Sequence, residues 1–329
     1  MLADSFGRVA TDLRVSVTDR CNLRCTYCMP AEGLDWLPRP ALLTDDEVSR
    51  LISVAVRRLG ITEVRFTGGE PLIRRGLPAI IAATAALEPR PEISLTTNGI
   101  GLARLAGPLA TAGLDRLNVS LDTLSRETFV RLARRDRLAD VLAGLSAAAD
   151  AGLAPVKVNA VLMRGINDHE AAALLSFCLD RGYQLRFIEQ MPLDAQHGWR
   201  RSDMVTAGEV LASLSAEFTL TPDDSDTRGS APAETFRIND GPDRVGIIGS
   251  VTRPFCGTCD RVRLTADGQV RNCLFATTET DLRAALRSGA SDDQLAALWR
   301  TAVADKLPGH GISDPGFLQP ARPMSAIGG

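Results

Sequence analysis

The 329-residue chain has no long apolar run. Its longest mainly apolar stretch, Leu77 to Leu87, falls short of the roughly 20 residues that a bilayer-spanning helix needs. The first residues, Met1 to Val9, are polar and charged, with no apolar signal core. A soluble, unexported, cytoplasmic protein is expected, with no membrane partner. A positive balance is missing too: 37 basic and 40 acidic residues give a formal charge of -3. Bulk electrostatics of that sign would not grip a nucleic-acid backbone, so any anion specificity must be local. Lysine is nearly absent, with only Lys157 and Lys306 among the 37 basic residues. A genomic preference for arginine accounts for that imbalance, and no function is read from it.

What is there is a repeated β-then-α order. Six β-rich runs, at 13–19, 63–69, 92–99, 116–122, 155–163 and 184–191, alternate with helical patterns. The clearest helix starts at a capping box, Thr44 with Glu47, before Val48, Leu51, Ile52, Ala55 and Leu59 line one face. Such an order implies a parallel sheet, either open and doubly wound or a partial barrel. The expected fold is a partial (βα)6 TIM-type barrel over 1–215 with an α+β extension over 216–329. In the extension a polar stretch, 222–233, precedes strand-like pieces at 234–238, 245–250 and 262–265. Helices are expected near 281–287 and 292–302, then an irregular tail from 307 to 329.

Six of the seven cysteines fall into two tight groups, and in a reducing compartment these read as metal ligands rather than disulfides. Cys21, Cys25 and Cys28 stand in the loop after the first strand, where a parallel α/β barrel builds its active site. Three thiolates so close in sequence suit a cubane cluster and leave one iron without a protein ligand. A structural zinc site would want a fourth ligand, and no histidine or further cysteine lies near. Cys256, Cys259 and Cys273 repeat the arithmetic near the C-terminus. There a zinc ribbon completed by His197 or His310 stays open on spacing alone. Cys178 shares a helical face with Ala171, Leu174 and Leu175 and reads as a buried apolar residue.

Cations occupy strand positions where a barrel interior would be apolar. Arg14, Arg65, Lys157 and Arg186 are each flanked by apolar residues, and side chains alternate across a strand, so the cations point inward. Glu70, Asp122 and Glu189 are the acids expected to offset some of them. Charges in such a place are costly unless paired, and four of them suggest a bound polyanion such as a triphosphate. Arg261 and Arg263, alternating just after the second cysteine group, add to that set.

The first triplet, with Tyr27 before its last cysteine, resembles the signature of the radical S-adenosylmethionine superfamily. Gly68-Gly69-Glu70-Pro71 after the second strand resembles that superfamily's glycine-rich motif. A closer resemblance, to the GTP 3′,8-cyclase (molybdenum cofactor biosynthesis protein A) family, covers nearly the whole chain. It runs from residues 6–8 and 12–30 through RFTGGEPLIRR, LTTNG, NVSLD, VKVNAVLMRGIND and RFIEQM to FCGTCDRVRL, NCLFAT and Gly328-Gly329.

The resemblance implies two [4Fe-4S] clusters, the first on Cys21, Cys25 and Cys28 binding S-adenosylmethionine, the second on Cys256, Cys259 and Cys273 meeting the guanine base. It implies that Tyr27, Gly68, Gly69, Glu70, Ser120 and Met191 bind S-adenosylmethionine. Arg14, Arg65, Thr96, Lys157, Arg186, Arg261 and Arg263 would bind GTP, and the Gly328-Gly329 tail would enter the active site. The implied reaction is the radical lyase chemistry that converts GTP to 3′,8-cyclo-7,8-dihydro-GTP, the first step of molybdenum cofactor biosynthesis. The implied partners are a reductant such as flavodoxin or ferredoxin and a downstream cyclic pyranopterin monophosphate synthase, and a homodimer is one assembly open to the chain. A peptide-modifying two-cluster enzyme is the alternative within the superfamily, opposed by the internal cations. An electron carrier or zinc-binding regulator would need neither those cations nor the glycine-rich motif.

Overall fold

The computed structural model describes residues 1–224 and 228–328. Helix α1 (Asp45–Leu59) begins where the capping residues put it: the Thr44 hydroxyl accepts from the Glu47 amide at 3.1 Å, and the Glu47 carboxylate accepts from the Thr44 amide at 2.8 Å. Two otherwise orphaned donors are satisfied reciprocally. All five residues expected on its apolar face are buried, and Gly60 ends it in a left-handed conformation that glycine adopts without strain.

Six parallel strands lie side by side in chain order: β1 (Asp12–Ser16), β2 (Glu63–Thr67), β3 (Glu92–Thr97), β4 (Arg116–Ser120), β5 (Val156–Val161) and β6 (Gln184–Ile188). Helices α1, α2 (Leu77–Ala85), α3 (Leu102–Thr111), α4 (Arg126–Ala133), α5 (Leu138–Asp150) and α6 (Ala171–Asp180) connect them. Alternation divides each strand. Leu13, Val15, Val64, Phe66, Leu95, Leu117, Val119, Val158, Leu185 and Phe187 are fully buried toward the helices. Arg14, Arg65, Thr96, Asn118, Asn159 and Arg186 take the other face.

After α7 (Ala207–Ser215), the extension contributes β7 (Leu220–Pro222), β8 (Glu234–Ile238), β9 (Arg244–Ile248), β10 (Arg261–Leu264), β11 (Gln269–Arg271) and β12 (Thr280–Asp281). These strands join both edges of the central sheet, β9 running parallel to β6 and β10 parallel to β1. The result is one twelve-stranded sheet, β12-β11-β10-β1-β2-β3-β4-β5-β6-β9-β8-β7. It stays open, as a partial barrel should, yet it is curled, because residues of β1, β6, β9 and β10 wall one cavity. Helices α8 (Leu282–Arg287) and α9 (Asp292–Ala304) lie where expected, and Trp299 of α9 is fully buried. The expected irregular tail contains a short helix, α10 (Met324–Ile327), held in a small apolar cluster with Leu193, Met204, Val251, Phe275 and Ile312. Among the described residues no helix is long and apolar enough to cross a membrane.

Candidate functional site

The inward cations are present, and they cluster. Arg263, Arg14 and Arg65 are register partners on the adjacent strands β10, β1 and β2. Arg186 reaches inward on β6 past Gly246, where a side chain would stand 2.8 Å from its Cγ, and it donates to the Asn159 and Asn118 side-chain oxygens at 3.0 and 2.7 Å. Burial first, and neighbouring arginines after it, push Arg14 well below its ordinary value and Arg186 down to about 9. Arg263 falls to about 10, chiefly through burial. The buried Nε atoms of Arg14, Arg65 and Arg261 have no hydrogen-bond partner. That is a positive interior with more cations than counter-charges, which costs free energy until an anion enters.

The counter-charge is not where the sequence suggested. Glu70 accepts from Leu72, Thr97 and Asn98, Asp122 from Tyr27 and Val161, and Glu189 from Ala207, Val251 and Thr252. None of the three carries an ion pair to the cluster. Asp12 does that work, 3.7 Å from Arg14 Nε and 3.8 Å from Arg261 Nε. The period of two that turns Arg14 inward turns Asp12 inward as well, since the strand begins at Asp12 and not at Leu13 as its apolar run suggests. Lys157 lies on the same face of β5, two residues before Asn159, but does not line either cavity.

Cys21, Cys25 and Cys28 fold into a tight turn in which the Cys25 carbonyl accepts from the Cys28 and Met29 amides. With Gly68, Gly69, Asn98 and Ser120 they line a cavity of about 160 Å³. The paired glycines have a steric cause: a Cβ on Gly68 would lie 2.3 Å from the Thr18 carbonyl oxygen, and one on Gly69 2.3 Å from that of Arg20. Only a bare backbone lets the end of β2 lie against the chain entering Cys21. Glu70 sits behind them, fully buried, and burial pushes its carboxyl up to about 7. Burial also pushes the Cys21, Cys25 and Cys28 thiols up, Cys28 to about 12, so a bound cation is needed to hold them as thiolates.

A second cavity, about 290 Å³, adjoins the first. Tyr27, Cys28, Thr96, Ser120, Asp122 and Met324 belong to the walls of both. Arg14, Arg65, Arg186, Arg261, Arg263 and Met191 line the larger one, and so do Cys256, Cys259 and Cys273. Cys256 and Cys259 bracket a single turn before β10, and Cys273 follows β11. The zinc alternative loses its fourth ligand here. His310 lines the cavity, but its Nε2 lies 2.9 Å from the Ser250 carbonyl oxygen and its Nδ1 accepts from the Ile312 amide at 3.1 Å. His197 is exposed and away from the walls. Among the described residues no three His, Cys, Asp or Glu side chains close on one point as the ligands of a single ion do. A cubane takes one thiolate per corner, and the open triplets fit it in donor chemistry.

The tail enters this space. The Met324 amide donates to the Leu193 carbonyl at 3.0 Å, and the Gly328 carbonyl accepts from Arg263 Nη1. Gly328 has φ 89°, and a Cβ there would lie 2.7 Å from Thr67 Cγ2. Gly329 lies outside the described residues. What anchors the tail is the pair of Arg322 with Asp267, for which no local pattern is a signal. Cys178, as expected, is a fully buried core residue of α6.

Comparison with known proteins agrees with this geometry. The family described as Radical SAM superfamily matches residues 15–178, and Molybdenum Cofactor Synthesis C matches residues 183–312. A GTP 3′,8-cyclase of Streptomyces coelicolor is 67% identical over 329 residues, covering 100% of this chain and 96% of the relative. A GTP 3′,8-cyclase 2 of Mycobacterium tuberculosis is 63% identical over 332 residues, covering 100% of this chain and 92% of the relative. Among solved structures, Streptococcus suis SuiB bound to S-adenosylmethionine superposes with a TM-score of 0.61 at 13% identity, over 89% of this chain and 68% of that one. Native anSMEcpe with bound AdoMet gives 0.60 at 15% identity, over 91% and 81%. At such identities the likeness is one of fold alone.

Proposed function

The chain belongs to the GTP 3′,8-cyclase family of radical S-adenosylmethionine enzymes, and from that membership we propose how its own residues serve the reaction. The enzyme converts GTP to 3′,8-cyclo-7,8-dihydro-GTP, the first step of molybdenum cofactor biosynthesis. One observation carries the reading of the site: a single cavity is walled by a cysteine of the first triplet, all three of the second, and five inward arginines.

Cys21, Cys25 and Cys28 would hold the cluster that takes S-adenosylmethionine, and Cys256, Cys259 and Cys273 a second cluster. Bound there, the reduced first cluster and S-adenosylmethionine supply the radical that removes a ribose hydrogen. Gly68, Gly69 and Ser120, on the smaller cavity, are the nearest frame for that cofactor, with Tyr27 fixed by its 2.7 Å hydrogen bond to Asp122. Arg14, Arg65, Arg186, Arg261 and Arg263 receive the triphosphate, and its charge replaces the compensation that the arginines lack. Thr96, shared by both cavities, stands where cofactor and nucleotide meet. Lys157 completes the field from deeper in the barrel. The tail excludes water from the junction through Met324 and α10. Glu70 braces the glycine-rich loop. A cytoplasmic setting, a flavodoxin or ferredoxin as reductant, a downstream cyclic pyranopterin monophosphate synthase and a homodimeric assembly complete the proposal.

The test is anaerobic incubation of reconstituted protein with GTP, S-adenosylmethionine and a reductant, followed by product analysis. Formation of 5′-deoxyadenosine together with the cyclised nucleotide is expected. Deoxyadenosine with no change in GTP would sink the substrate assignment.

A further inference from the structure

Lysine is the rarest cation in this chain, and one of its two lysines is buried against a cysteine. Lys306 follows α9 and is only 4% exposed. Its Nζ donates to the carbonyl oxygens of Cys259 and Arg261 at 2.9 and 3.0 Å, and to Cys259 Sγ at 3.4 Å. The ammonium group has three donors, and all three are used. A guanidinium spreads its donors across a rigid plane, which suits a carboxylate or phosphate and not a tripod of two carbonyls and a sulfur around one point. In a chain that uses arginine almost everywhere else, lysine stands where a compact tripod is required.

The other thiols of the second triplet are served differently. Cys273 Sγ accepts from the Phe275 amide at 3.5 Å, and Cys256 is hydrogen-bonded by the backbone of His310. Cys259 alone in that triplet takes a hydrogen bond from an ammonium, and Arg261 Nη1 lies 3.8 Å from the same sulfur. Arg8 and Arg263 lie near Cys256 and Cys273, but within this triplet direct hydrogen bonds from cationic side chains to sulfur converge on the Cys259 corner. The same ammonium also ties the cysteine turn to the first residue of β10, the strand that carries Arg261 and Arg263 into the cavity.

We propose that Lys306 is the positioning residue of the second iron–sulfur centre: it holds the Cys259 sulfur in place beside β10 and, by its charge, raises the reduction potential of that cluster. The inference rests on the two-cluster reading above. Its physical basis is general, since cluster potentials follow net charge and hydrogen bonds to sulfur, and such outer partners orient the ligands they touch.

The experiment compares wild type with Lys306→Met and Lys306→Arg after anaerobic reconstitution of the full chain. It measures iron content, electron paramagnetic resonance and redox titration of each cluster. A Cys21→Ala/Cys25→Ala/Cys28→Ala control identifies the signal of the second cluster. Lys306→Met should move the second cluster to a more negative potential and alter its spectrum while the first keeps both. Lys306→Arg should bring the potential back toward the wild-type value through its charge but leave the spectrum altered, because the charge returns without the tripod. Selective loss of the second cluster, with helix content and the first cluster intact, would equally support the positioning role. A full iron complement, about eight per chain, with unchanged potential and spectrum would overturn the proposal. So would loss of both clusters with the fold, which would make Lys306 a core brace. Zinc or a single cluster in the wild type would instead overturn the two-cluster reading and take the lysine proposal with it.

Discussion

Arg322 grips Asp267 with two parallel hydrogen bonds of 3.0 and 2.8 Å, and its Nε lies 2.8 Å from Glu279. Asp267 sits in the turn between β10 and β11, so this pair fastens the C-terminal tail to the hairpin that presents Arg263. The tail's entry into the barrel is set from outside it.

Replacing Arg322 by alanine should therefore loosen the tail without touching either cavity. Hydrogen bonds to charged groups contribute about 1.5–3 kcal/mol. The amides of Ile327 and Gly328, which are bonded within α10 in the native chain, should exchange with deuterated water roughly tenfold to a hundredfold faster. Unchanged exchange in that peptide would assign the anchoring to α10 and its apolar cluster.

The two triplets should fail differently. Cys21→Ala, Cys25→Ala or Cys28→Ala should abolish both 5′-deoxyadenosine and cyclised GTP. Cys256→Ala, Cys259→Ala or Cys273→Ala should leave slow cofactor cleavage running while cyclisation stops, because the nucleotide is no longer held in a reactive geometry. A paired assay of the two products, with iron content checked, measures this. Second-triplet variants that keep the first cluster and still cyclise at the wild-type rate would make the second triplet structural.

Burial, with Arg186, Arg116 and Arg65 behind it, pushes Lys157 down to about 8. Below that pH the ammonium is present to attract a polyphosphate through the field it adds behind the cavity, and above it the empty protein's lysine is neutral. GTP affinity should fall as pH rises through about 8, and binding above it should take up a proton. Lys157→Met should weaken binding at neutral pH and remove this limb relative to wild type. Calorimetry in buffers of different ionisation enthalpy reads both. An identical alkaline limb in the variant would place the titration elsewhere.

Thr44→Ala offers the contrast of a change that touches only stability. Loss of the capping box should cost about 1 kcal/mol in urea unfolding. Cluster content and turnover should stay as in the wild type, since α1 packs on the far side of β1 and β2 from the cavities. A drop in turnover at full cluster content would contradict that separation.

Much of this architecture was legible because its signals are local. The period-two strands, the Thr44 cap and the spacing of each triplet declare themselves within a few residues. What was hidden depends on residues far apart in the chain. Asp12 meets Arg261 only because β10 docks beside β1, and no local pattern announces a strand that pairs across some 250 positions. Lys306 and Arg322 were silent for the same reason: each acts on a partner brought near by the final sheet order. Glu70, Asp122 and Glu189 are not the counter-charges their sign suggests, because sequence does not show the backbone amides that claim them.

The placement of β9 and β10 on opposite flanks of the central strands has a consequence for synthesis of the chain. When the ribosome has completed β6 at residue 188, all six central strands exist, yet both outer strands still present unpaired backbone. β6 waits for residues 244–248 and β1 for residues 261–264, which bring the second cysteine group with them. Exposed strand edges invite pairing with other chains. The emerging polypeptide is then most prone to aggregate in the interval before the metal-binding turn has left the exit tunnel, and truncations between residues 190 and 260 should be the least soluble of a nested series.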